Sequence, residues 1–272
     1  MINIPNKTTP PLSRANISSL NSRHTAPLSK GNLQSINKPG RGQVSSSVPP
    51  QQGNVSRVSA QNSGVQQQAV PSNQASLNSV PDMTLPAMQH LLRKGQKTNL
   101  ASPNRNIAGI KACFGWNIRD ARCDVDASAF LVKADGKVPG DDWFVFYGQE
   151  RSPDGSVVLS RDAGGKDREV ISVDLQKLNS GIQKIVFVVT IHEAFEKKLN
   201  FSMLKDTYIR ILDVGTGQEI FSYCLEEYYQ NVTSMTIGEL YLYNGQWKFN
   251  PVGNGVNQDL AGQCAIYGVE IG

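Results

Sequence analysis

The 272-residue chain has no Asp or Glu among its first 80 residues and no Phe, Trp or Tyr before Phe114. A stretch made mainly of Ser, Asn, Gln, Pro and Gly cannot bury enough apolar surface to offset the entropy of ordering it. Residues 1–80 are therefore expected to form a disordered basic tail, with the folded domain over 81–272. The tail holds Lys7, Arg14, Arg23, Lys30, Lys38, Arg41 and Arg57 with no acidic residue, net +7. The remainder carries 20 of the 27 basic residues and all 23 acidic ones, net −3, so the +4 of the whole chain describes neither part. Seven dispersed cations read as a solvated arm more readily than as a dense patch for an acidic partner.

Other absences narrow the chemistry. Cys113, Cys123, Cys224 and Cys264 form no CxxC pair and have no accompanying histidines, which argues against a zinc site. The only histidines are His24, His90 and His192, and no GxSxG elbow occurs, so nucleophilic catalysis has no visible machinery and a non-enzyme is expected. Neither a P-loop nor GxGxxG is present; the glycines at Gly215 and Gly217 sit inside a hairpin pattern. Tyr228, Tyr229, Tyr241 and Tyr243 stand among Glu226, Glu227 and Glu239, an environment that disfavours nucleic acid as a partner. With no secretory pattern and no apolar run of membrane-spanning length, the expectation is a cytoplasmic protein with reduced thiols, membrane association being confined to a surface contact.

What is present reads as strands punctuated by turns. KTNL at Lys97–Leu100 and Ile107–Trp116 read as the first two strands, and VDASAFLV at Val125–Val132 sets Val125, Ala127, Ala129 and Leu131 on one face against Asp126, Ser128 and Phe130. DGK leads into DWFVFYG, SPDGS closes the next turn, and REVISVDL alternates again. KIVFVVTI, Lys184–Ile191, is a continuous apolar run that suits a central strand buried on both faces. VGTGQ marks one hairpin, and Asn244-Gly245 marks another between ELYLY and QWKF. A short helix is expected after Pro86 in MTLPAMQHLLRK, and a short helix or irregular crossover in EAFEKKLNFSML. Eight or nine strands with few short helices make the fold class all-β, a β-sandwich.

Two acidic groups stand out against this frame. Asp124 and Asp126 are spaced i, i+2 and share one side of an extended chain, while Asp162, Asp167 and Glu169 lie in a loop opened by Gly164 and Gly165. Calcium takes six to eight oxygens at about 2.3–2.6 Å, which such loops can supply. On spacing alone the residues read equally as a calcium site or as solvated acidic loops.

The segments FGWN, CDVDASAFL, DWFVFYGQERSPDGSV, VISVDL, IVFVVTIHEA, NFSML, YIRILD, TGQEI, GELYLYNGQWKFNPVGNG and YGVEI together resemble the TerD family of bacterial tellurite and stress-resistance proteins, from about Leu92 to Gly272. The resemblance implies a sandwich similar to calcium-dependent lipid-binding modules of synaptotagmin type. It places Asp124 and Asp126 on the family's DLDAS element, Asp162 on its GDN segment, and Asp167 and Glu169 on its DDE segment. Four departures stand beside that match: the loop between the last two segments is shortened, Arg168 replaces an expected Asp, Asn117 follows GW where the family has Asp, and Tyr147-Gly148-Gln149 replaces Tyr-Asn-Asn. Arg161, Lys166 and Arg168 also bring positive charge into the loop.

The expected ligands are thus Asp124, Asp126, Asp162, Asp167 and Glu169 with Asn117 supplementary, forming one calcium site or a weakened pair, with loss of the ion as the remaining alternative. The function implied is a non-enzymatic calcium-binding or scaffold module of a stress-response system, facing another stress-response protein or a membrane surface. Its competitor is a calcium-independent interaction protein recruited through the basic tail.

Overall fold

The computed structural model describes residues 82–101, 107–161 and 167–271. Two antiparallel sheets face one another. The first has six strands in the order β1 (Thr98–Asn99), β11 (Gln246–Val256), β10 (Ser234–Tyr243), β7 (Lys184–Ile191), β3 (Val125–Val132) and β4 (Phe144–Val145). The second has five, in the order β5 (Val157–Ser160), β6 (Glu169–Asp174), β2 (Gly109–Ile118), β8 (Leu204–Asp213) and β9 (Glu219–Cys224). Two short helices complete the described fold, α1 (Ala194–Lys197) and α2 (Leu260–Tyr267). The expected all-β sandwich with few short helices is what the chain forms; the expected tail falls outside the described residues.

Strand β7 explains its own composition. Ile185, Phe187, Val189 and Ile191 point into the core between the sheets, beside Phe114, Ile171 and Ile209. Val186 and Val188 point outward, where Leu260 and Cys264 of α2, Phe130, Phe144 and Phe146 cover them. A strand buried on both faces has no position left for a polar alternation. The outer cover is built on stacked rings, Phe130 to Phe144 at 4.2 Å and Phe144 to Phe146 at 4.6 Å between centroids. Helix α2, which the sequence reading omits, is set by Asp259, whose carboxylate accepts the Gly262 N–H at 2.8 Å, and ends at Gly268 with φ +78°.

The Asn244-Gly245 turn forms as expected, both residues having positive φ (50° and 74°) and joining β10 to β11. The helix expected after Pro86 does not form. That segment runs extended along β9, with the Leu92 N–H donating to the Ser222 carbonyl and the Ser222 N–H to the His90 carbonyl, and a parallel bridge between Leu91 and Ser222. The open edge of β9 offers backbone partners that an isolated turn of helix would have to find in water, and the edge wins.

Burial on both faces of β7 has a measurable signature. Phe187→Ala should cost about 3–5 kcal/mol and Val188→Ala, on the opposite face, about 2 kcal/mol in urea unfolding. A near-neutral Val188→Ala would show that α2 does not seal the outer face.

Candidate metal centre

The acidic end of the sandwich grows out of a mismatch in strand length. The Asp124 backbone carbonyl accepts the His192 N–H at 2.7 Å, so the ladder between β3 and β7 bonds through Asp124, Asp126 and Ser128. The N–H of Ala127 then points to the other side of β3, where β4 pairs only with Ala129 and Phe130. This donor would be an unpaired edge group inside the protein, at a cost of about 1–3 kcal/mol. Glu169 takes it: its carboxylate reaches across from the first residue of β6 and accepts the Ala127 N–H at 2.5 Å. Glu169 shares the inward face of β6 with Ile171 and Val173 and is buried.

Asp126 lies on the opposite face of β3 from Ala127, in line with Ser128 and Phe130. It lines a cleft of about 10 Å³, the scale of one water, with Ser128, Tyr147, Thr190, His192 and Leu260 among its walls. Burial pushes the Asp126 carboxyl up to about 6, and the charge of Asp124 adds to the rise, with His192 and Arg161 opposing it. Burial likewise pushes Glu169 up to about 7; Asp126 and Asp124 add to it, while the Ala127 hydrogen bond and Arg161 pull it back. Among the described residues no Lys or Arg nitrogen lies within 4.0 Å of either carboxylate. Arg161 is itself held by Glu150, 3.1 Å away.

The other expected ligands are placed differently. Asp167 is turned to the outer face of the five-stranded sheet, where its Oδ1 accepts from the Tyr208 hydroxyl at 2.8 Å and from Arg210 Nε at 3.2 Å, and its Oδ2 from Arg210 Nη2 at 2.7 Å. Asn117 is buried; its Oδ1 accepts the Met83 N–H at 2.8 Å, and its Nδ2 donates to the Met83 carbonyl and to Asp206. It pins the start of the folded domain to β2 and β8. Asp162 lies outside the described residues, as do Gly164, Gly165 and Lys166. Arg168 does not face the acidic end as a free cation: its Nε donates to the Trp116 carbonyl at 2.6 Å and its guanidinium lies 5.9 Å from the Trp116 ring centre.

The structure therefore brings Asp124, Asp126 and Glu169 within reach of one another's charge, without Asp167 or Asn117. Among the described residues no three Asp, Glu, His or Cys side chains are gathered closely enough to hold a metal ion as they stand. In chemistry the three carboxylates are oxygen donors, the type of ligand that a hard cation takes.

Fold and site together define a β-sandwich with an acidic end. The chain belongs to the TerD family: the TerD domain matches residues 88–267. It is 37% identical over 185 residues to a tellurium resistance protein TerD of Serratia marcescens, a match covering 65% of this chain and 96% of that one. It is 36% identical over 189 residues to general stress protein 16U of Bacillus subtilis, covering 66% and 98%. A chemical-damaging agent resistance protein B of Clostridium acetobutylicum is 34% identical over 133 residues, covering 47% of this chain and 95% of the other.

The raised carboxyls set a pH dependence. Between about pH 4.5 and 7 the unfolded chain ionises Glu169 and Asp126 before the folded one does, so their contribution to stability falls as pH rises through that window. Asp120, held down to about 2 by hydrogen bonds from Arg122, acts below it. Glu169→Gln keeps an acceptor for the Ala127 N–H and removes the charge. Urea unfolding at pH 4.5 and 7.5 should show the variant losing less stability than the parent over this range, by on the order of 2 kcal/mol; equal losses would mean that Glu169 titrates in the ordinary range.

Proposed function

We propose that the chain is a non-enzymatic calcium-binding module of the TerD type, acting in resistance to tellurium or another chemical stress, and that it binds one ion through Asp124, Asp126 and Glu169. The observation that carries the reading is the pair of desolvated carboxylates, Asp126 and Glu169, with no described Lys or Arg in contact with them. Two desolvated carboxylates that each disfavour the other's charge are costly when ionised, and a divalent cation would offset that cost. Calcium when bound would supply that neutralising charge and accept several oxygen ligands at once.

The chain's own residues do the rest. Glu169 ties the start of β6 to the edge of β3, so any change in its charge is felt at the join between the sheets. Asp124 and Asp126 sit on the outer face beside the cleft walled by Tyr147, His192 and Leu260, where an altered charge can change what the surface presents. This end of the sandwich would be the face shown to a protein partner or a membrane surface. Asp167 and Asn117 are left out of the ligand set because their polar atoms are already engaged.

Thermal melting with calcium and with chelator tests the proposal. Free calcium at about 100 times its dissociation constant should stabilise the fold by roughly 2.7 kcal/mol. Asp124→Ala with Asp126→Ala should abolish the shift. A melting curve of the parent that millimolar calcium leaves unmoved would refute the metal reading and favour the calcium-independent one, in which recruitment is lost on deleting residues 1–80.

A further inference from the structure

Resting on that reading, we infer that Asp167 acts as a positioning residue for the acidic end and not as a ligand: the Tyr208–Arg210 clasp on Asp167 fixes the chain two residues ahead of Glu169 and so sets where the Glu169 carboxylate arrives. The clasp is a built feature. Asp167 and Arg210 side chains are only 12% and 13% exposed, and the pair uses both carboxylate oxygens against two nitrogens of one guanidinium. Such two-point pairing fixes direction as well as distance. Tyr208 completes it by lying across β2 at Gly115, where a Cβ would come within 2.3 Å of its ring. Gly115 is therefore the opening through which the tyrosine reaches Asp167.

The next residue is fixed as firmly. The Arg168 N–H donates to the Phe114 carbonyl at 2.8 Å, and its side chain is bound to Trp116. Asp167 and Arg168 thus fasten the chain to β2 and β8 immediately before Glu169 pairs with Phe114 as the first rung of β6. With its backbone set there, Glu169 has one direction available, inward to Ala127. Residues that orient a ligand in this way typically change metal affinity by about 10- to 100-fold when replaced.

Two variants of the full chain separate positioning from ligation because the readings predict opposite signs. Arg210→Met releases the Asp167 carboxylate. Were Asp167 a ligand, calcium measured by titration calorimetry should bind more tightly; a positioning role requires binding to weaken by about 10-fold or more. Asp167→Asn should weaken it as well. The second readout needs no ion: amide hydrogen exchange in chelator. Loss of the clasp should speed exchange at Ala127 by about tenfold while Val188, in the adjacent ladder, keeps its protection. Tyr208→Phe removes the hydroxyl that donates to Asp167 and no charge, and stands in should either charge variant fail to fold.

Tighter calcium binding in Arg210→Met, or an Ala127 amide unchanged in all three variants, overturns the inference. A parent that binds no calcium but shows the accelerated Ala127 exchange on losing the clasp would sink the proposed calcium function and leave the positioning role standing.

Discussion

The acidic end depends on a single donor, the Ala127 N–H, left without a strand partner because β4 is only two residues long. A longer β4 would pair with it and leave no reason for a carboxylate to be inside. As built, the gap is filled from the opposite sheet by Glu169, so one hydrogen bond ties the two sheets at this end and brings a carboxyl within reach of the charges of Asp126 and Asp124. The same burial that makes the bond worthwhile makes the charge expensive. A carboxyl buried in this way is stabilised by whatever neutralises it, a proton in the first instance.

The sandwich stood out in the sequence because its signals are local. KIVFVVTI needs only its own composition to be read as buried on both faces, and Asn244-Gly245 needs only its own backbone to be a hairpin turn. Helix α2 carried signals too, Asp259 at its start and Gly268 at its end, but its eight residues give a weak period. The segment after Pro86 carries Met88, Leu91 and Leu92 at a helical spacing, yet the distant edge of β9 at Ser222 decides its shape. Local preference lost to a distant partner, as tertiary context commonly allows.

The acidic residues divide along the same line. Glu169 falls in phase with Ile171 and Val173, so its inward direction could have been read from the alternation of β6. Asp126 falls in phase with Ser128 and Phe130, which places it on the outer face. Nothing local in the sequence distinguishes Asp167 from Glu169, two positions on. Their fates differ because Asp167 precedes the strand and meets Arg210, and the meeting is fixed by the pairing of β2 with β8. Asn117 likewise looked like a weakened ligand and proves to be a fastener for Met83. Residue type suggested a site; the register of strands far apart in sequence selects its members.

The departures from the family pattern take on one physical sense when set beside this geometry. Arg168, standing where an acidic residue is usual, stacks on Trp116 and holds the carbonyl at the end of FGW. Asn117, standing where another acidic residue is usual, satisfies both backbone groups of Met83 and would meet Asp206 as a repelling neighbour were it charged. Each of these side chains makes a fixed contact at β2. The negative charge that remains is drawn to the other sheet, around β3, where Asp124 and Asp126 lie beside the cleft under α2. Fixed contacts thus occupy the β2 side of this end, and the exposed or half-buried carboxylates Asp124 and Asp126 occupy the β3 side.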